Sequence, residues 1–255
     1  MSKAWVRLFP HQKKYSRFRF VSWPLTIFEQ SDQLRKSNFP FREKTKRTRY
    51  PIKGLRYWWL YCAIWEELQQ AATSTVIADV GCERGILKRF ISPIQGACLI
   101  GLDIRLDEKA LELDQYDELH CCDFDSELPM RDSRADIRVC CHVLEHLPRP
   151  DFTMGELTRI LRPGGLMLIS ISVVSSLMAY IHEWQFGKQF KTGTRRKLQH
   201  MHAFWPGRIC HLAEKCGLEV EFMSGTCLLR KQGSRLENYA FWILINQVWG
   251  DCFLR

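Results

Sequence analysis

The chain has 255 residues, 46% of them apolar and 25% charged, with a formal net charge of +9. That is enough to bury a core of its own, and no internal repeat or low-complexity tract interrupts it. Eleven cysteines without a Cys-x-x-Cys pair, and without a secretory signal ahead of them, argue against a disulfide framework and for a reducing, cytoplasmic setting.

The charge is lopsided. Residues 1–56 hold 15 Lys and Arg against Glu29, Asp32 and Glu43, so the basic character belongs to an N-terminal extension, read here as residues 1–53. Trp5, Phe9, Tyr15, Phe18, Phe20 and Trp23 are interleaved with these cations. Such a stretch suits RNA, through phosphate attraction and base stacking, and suits an anionic membrane surface equally. The plainer alternative is a solvated arm whose aromatic residues dock on the core.

From residue 54 to 255 the pattern is that of one α/β domain. "LRYWWLYCAIWEELQQAA" is of helical length without a breaker, and "TVIAD" is a buried strand that runs straight into the loop "VGCERG". "ILKRFI" is the helix after it. "ACLIGLD", "DELHCCD" and "DIRVCCHV" follow as strands, then "DFTMGELTRIL" as an amphipathic helix with Asp151 at its N-cap. "RPGG" is a turn into strand "LMLISIS". The uncharged run Pro163–His182 has the length of a membrane span, but its Pro-Gly-Gly opening and four serines fit a strand followed by a loop or helix. Residues 173–205 make a long connection rich in aromatic and basic residues, the mark of a substrate lid. "WPGRICHLAEKCG" is a helix closed by Gly217, and "LEVEFM" and "YAFWILINQV" are strands paired as a hairpin. The expected fold is therefore Rossmann-like: a mostly parallel seven-stranded sheet with an antiparallel edge strand, and helices on both faces.

In such sheets ligands sit at the carboxyl ends of the strands. Those ends carry Asp79–Gly81, Asp103, Asp123 and Cys141–His146, which folding brings together. A dinucleotide loop needs G-x-G-x-x-G so that backbone approaches the pyrophosphate, but two and five residues after Gly81 stand Glu83 and Ile86. The Cys doublets at 121–122 and 140–141 point to opposite faces of their strands and are read as core cysteines, so no metal is expected.

"VIADVGCERGIL", "LIGLDI", "CCDFDSELP", "DIRVCCHVLEHL" and "ILRPGGLMLIS", in this order, resemble the class I S-adenosylmethionine (SAM)-dependent methyltransferases, in particular the small-molecule group called type 11. The resemblance implies SAM as cofactor and a small-molecule or lipid-like acceptor. It implies that Asp79, Gly81, Glu83 and Gly85 form the cofactor loop, that Asp103 takes the ribose hydroxyls, and that Asp123 and Phe124 flank the adenine. Glu83 departs from the pattern, which usually has glycine there; its carboxylate either crowds the cofactor or faces its cationic end. His142 and His146 are the candidate bases, with His200 and His202 in "QHMHAF" behind them. The Asp/Asn-Pro-Pro-aromatic run of amino-methylating nucleic-acid enzymes is missing. A catalytically idle fold that binds through its basic arm is the rival reading, and a nucleic-acid methyltransferase the third.

Overall fold

The sheet grows outward from strands that are apolar along nearly their whole length. In the computed structural model the described residues are 2–10 and most of 60–225; residues 11–59, 92–95, 107–115, 192–199 and 226–255, with a few positions between 62 and 73, lie outside them. Strands β2 (Thr75–Val80), β3 (Ala97–Asp103), β4 (Glu118–Cys121), β5 (Ala135–Cys141) and β6 (Leu161–Val173) form a parallel set. β1 (Ser2–Pro10) and β7 (Leu218–Gly225) complete the order β4-β3-β2-β5-β6-β1-β7.

Two expectations change here. β1 pairs antiparallel with both β6 and β7, so the antiparallel strand lies one place in from the edge, and the edge strand β7 runs in the direction of β6. The start of the predicted basic extension is thus part of the sheet. The predicted last strand "YAFWILINQV" and the rest of the extension lie outside the described residues. "RPGG" is also not a separate turn: it belongs to the first half of β6, where Gly164 has φ 77° and the register against β5 shifts.

Helices cover both faces. α1 (Ile86–Ile91), with helical residues around 60–68, buries Leu60, Ile64, Leu87 and Ile91 against Ile77, Leu99, Ile137 and Val139. On the other face α2 (Pro150–Ile160) and α4 (Pro206–Lys215) pack Met154, Leu157, Ile209 and Leu212 against Ala78, Ile100, Cys140 and Ile169. α2 starts differently from the prediction. Its N-cap is Arg149 and Pro150 opens the first turn, because proline has no N–H to leave unsatisfied there; Asp151 sits inside that turn, facing the helix dipole. α3 (Ser176–Lys191) occupies the first half of the predicted lid. None of the described helices is long and apolar enough to cross a membrane.

One core residue conflicts with its surroundings. Arg138, in the middle of β5, is fully buried, and none of its guanidinium nitrogens has a hydrogen-bond partner. Burial pushes its pKa well below the usual arginine range, and the Arg159 charge adds to that.

Candidate active site

The loop after β2 is fastened to the neighbouring strand by its own backbone. Gly81 and Cys82 donate N–H bonds to the Leu102 carbonyl at 2.8 and 3.2 Å, and Gly85 donates to Cys82 at 2.7 Å. The Glu83 N–H reaches an Asp103 oxygen at 2.7 Å, and the Arg105 N–H takes the other at 3.0 Å. Gly81 has φ 77°, and a Cβ built there would fall 2.3 Å from Cγ2 of Val143. Only glycine fits where the loop meets the exit of β5.

The same loop resolves the oddity of Glu83. Its φ is 47°, in the left-handed region, and its side chain is exposed. A glycine-like backbone is kept with a side chain attached, at a cost of about 1–2 kcal/mol. The carboxylate stands outside the packed interior, so it does not fill the loop.

Asp79 ends β2 almost completely buried and accepts a hydrogen bond from the Tyr116 hydroxyl at 2.6 Å. Burial pushes its pKa up to about 7, against the lowering effect of the Tyr116 bond and with a smaller push from the Asp103 charge. Asp123 is exposed, and its Oδ1 accepts the Asp125 N–H at 2.9 Å. Phe124 is 5% exposed and belongs to the core, while its carbonyl accepts the Thr153 hydroxyl at 3.0 Å. Its ring is spent on packing. Asp136 accepts the Val76 N–H and pairs with Arg162 at the opposite end of the sheet.

At the carboxyl end of β5 the chain turns on His142, a second non-glycine residue in the left-handed region, with φ 57°. Strain of this sort collects at functional sites. His142 Nδ1 lies 2.9 Å from Oε1 of Glu145, and its Nε2 lies 3.4 Å from the Ser170 hydroxyl. Glu145 is buried in a short 3-10 turn, Leu144–His146. Burial by itself would raise its pKa, but the hydrogen bond and charge of His142, its own backbone and the His146 charge together hold it below the usual glutamate range. The Ser172 N–H adds a longer bond, 3.3 Å, to the same oxygen.

The segment before α4 closes over this turn. Met201 donates its N–H to the Glu145 carbonyl at 2.7 Å, and the His200 ring meets His146 edge-on at 4.8 Å. Glu145, His146 and His200 thereby offer three ligand atoms within 4.8 Å of one another. Glu145 Oε2 and His146 Nδ1 are buried with no hydrogen-bond partner. Such a set of two imidazoles and a carboxylate has the donors of a divalent transition-metal site. Sequence analysis places His146 and His200 only as separate candidate bases, Glu145 only within the Cys141–His146 strand end without a role, and Ser170 outside the site. The short "HVLEH" spacing was the available signal for Glu145.

Residues 78–169 match a family described as "Methyltransferase domain". A ubiquinone biosynthesis O-methyltransferase of Aeromonas salmonicida is 29% identical over 162 residues, covering 58% of this chain and 65% of that protein. Another, from Thiobacillus denitrificans, is 28% identical over 174 residues, covering 63% and 72%. The chain thus spans about two thirds of the length of these curated relatives. The crystal structure of the CurJ carbon methyltransferase superposes with a TM-score of 0.52 at 15% identity, over 75% of this chain and 52% of that one. The fold is thus shared with the CurJ methyltransferase, and the sequence match to the methyltransferase domain family spans residues 78–169.

Proposed function

We propose that this protein is a SAM-dependent methyltransferase acting on a hydroxyl of a small-molecule or lipid-like acceptor. The observation that carries this reading is the His142–Glu145 pair, with Nδ1 and Oε1 2.9 Å apart, set at a strand end whose next residue packs on the cofactor loop.

The strand-end residues fit the polar parts of SAM. Each Asp103 oxygen takes one backbone N–H, which orients the carboxylate and leaves each oxygen a further lone pair for one of two ribose hydroxyls. Buried Asp79 suits the cationic amino-acid end, since an ionised carboxylate there gains most from a positive neighbour. Gly81 and Gly85 let backbone approach, and exposed Glu83 stands where its charge favours a cation. Asp123 is open to an adenine amine, whereas Phe124 bounds that side only from within the core.

When bound, SAM supplies a methyl group already activated on a cationic sulfur, so alignment provides much of the rate. With Glu145 ionised, Nδ1 of His142 is the protonated nitrogen and donates to it. That leaves Nε2, which the Ser170 hydroxyl approaches at 3.4 Å, as the nitrogen that takes the acceptor's hydroxyl proton, and the buried carboxylate then stabilises the imidazolium. His146, held against His200, is the less suited of the two candidate bases. The oxygen acceptor is further supported by the relatives, which are named as O-methyltransferases. The domain is read as residues 54–255 together with β1, with the lid at 173–205. Residues 11–53 keep a composition suited to RNA or an anionic membrane.

The test is turnover of SAM by the full chain against a panel of phenolic, amine and carbon acceptors. We expect methylation of a phenol, and loss of about 10²–10⁴-fold in rate for His142→Ala with SAM affinity retained. SAM binding without turnover on any acceptor would return the protein to the idle-fold reading.

A further inference from the structure

α3 has two dissimilar sides. On one, Ala179 is fully buried and His182, Glu183 and Phe186 follow a turn and two turns later. His182 and Phe186 line a small open cleft together with Ser172, His200, His202 and Phe204. This side is pinned, because Glu183 Oε1 accepts the Ala203 N–H at 2.8 Å and an Arg208 nitrogen at 2.7 Å.

The other side is turned to solvent and is apolar. Leu177 is 72% exposed, Tyr180 77% and Trp184 65%, with Met178 and Ile181 beside them. Leu177, Ile181 and Trp184 follow at four and seven residues, so they form one stripe along the helix. Side chains of this size rarely gather on a helix that faces only water. After Trp184 the rest of α3 carries Lys188 and Lys191 and no acidic residue. The Lys188 ammonium lies 5.7 Å from the centre of the Trp184 ring.

We propose that this stripe docks α3 on an anionic phospholipid bilayer, with Leu177, Ile181 and Trp184 entering the headgroup boundary and Lys188 pairing with the headgroups. Tryptophan and tyrosine on an apolar stripe, with lysine able to reach outward, is the composition of a helix lying in that boundary. A second copy of the chain is a poorer occupant. A two-fold interface on the same face would bring the α3 lysines of both copies into it with no acidic residue on that stripe to offset them. In this position α3 lies between the bilayer and the cleft that its inner side lines. Docking does not depend on the acceptor proposed above.

The experiment is flotation of the full chain with phosphatidylcholine vesicles, with and without phosphatidylglycerol. Wild type, Leu177→Ser/Trp184→Ser and Lys188→Glu/Lys191→Glu are compared, with SAM affinity measured on each as the check of folding. We expect binding to phosphatidylglycerol-containing vesicles only, reduced about tenfold or more in both double variants, with SAM affinity unchanged. Absence of vesicle binding by wild type, or equal binding by all three proteins, would overturn docking through α3. A wild-type dimer that Leu177→Ser/Trp184→Ser turns into monomer would assign the stripe to self-association instead. Turnover of a water-soluble phenol is followed in parallel: its loss with docking intact counts against the methyltransferase reading, and the reverse counts against docking alone.

Discussion

Asp79→Asn separates what the β2 carboxylate costs from what it does. In the folded protein burial raises its pKa from 3.8 to about 7. The fold therefore favours the neutral acid, while the unfolded chain ionises it from about pH 4 upward. Between these values the folded state binds more protons, so stability falls as pH rises and levels off above the folded pKa. A shift of that size corresponds to about 4 kcal/mol. Asparagine keeps an acceptor for the Tyr116 hydroxyl but has no charge to bury. Its amide introduces a buried donor, worth about 1–3 kcal/mol against the variant at every pH. The informative quantity is thus the difference between variant and wild type as a function of pH. Urea unfolding from about pH 4 to about pH 8 should show the variant gaining on wild type by up to about 4 kcal/mol across that range. SAM affinity should move the other way, falling where Asp79 is ionised, because the cationic amino group loses its counter-charge. Wild-type SAM binding below pH 7 should also release a proton, read from calorimetric heats in buffers of different ionisation enthalpy. Parallel stability profiles for the two proteins would refute the argument that Asp79 is held neutral by burial.

Glu83→Gly should raise stability by about 1 kcal/mol in the same unfolding assay, because it relieves a left-handed φ of 47°. Glu83→Gln leaves that strain in place; calorimetry should show it weakening SAM more than the neutral-sulfur product. Asp103→Ala should cost about 1–3 kcal/mol in SAM affinity, since the ribose hydroxyls lose an acceptor and the Glu83 and Arg105 N–H groups lose theirs. Arg138→Met, of similar length without the charge, should stabilise the fold by about 1–4 kcal/mol in thermal and chemical unfolding, because no bond is broken when the buried guanidinium is removed.

The rim of the sheet that carries the candidate site was legible because it follows from strand ends. Continuous apolar runs located β2, β3 and β5, and the residue that ends β2 or β3 must lie on the same rim of a parallel sheet. That reasoning places Asp79 and Asp103 without knowing any side-chain direction. It fails for Phe124, one residue beyond Asp123: a loop position does not reveal whether its ring turns outward or into the core. The conformation of Glu83 was hidden for a different reason. Its type suggested a choice between crowding and attraction, whereas the deciding variable is a backbone angle that one side chain's identity does not report. The Ser170–His142–Glu145 chain joins β6 to the turn after β5, and the approach of His200 depends on backbone bonds to Glu145 from a segment far along the sequence. Such meetings are tertiary. β1 was hidden by its composition. In "SKAWVRLFP", Ala4, Val6 and Leu8 alternate with Lys3, Trp5 and Arg7, a strand period, but its lysine and arginine drew attention to charge instead.

The place of β1 in the sheet also sets the order in which the protein can be assembled. Ser2 pairs with Val173, and Pro10 with Leu218, so the first of the described strands is gripped by the last two. During synthesis β1 waits without a partner until β6, which ends at Val173, has been made. Until it arrives β6 has a bare hydrogen-bonding edge and β7 has nothing to attach to. Closing so long a loop costs entropy before any pairing repays it, so insertion of β1 belongs to a late, slow step of folding. In the interval the open edge of β6 is a template for strands of other chains. Crowded refolding should therefore lose material to aggregation at this step, and a cut between residues 10 and 60 would turn an intramolecular closure into a bimolecular capture, with a yield that rises with the concentration of the first fragment.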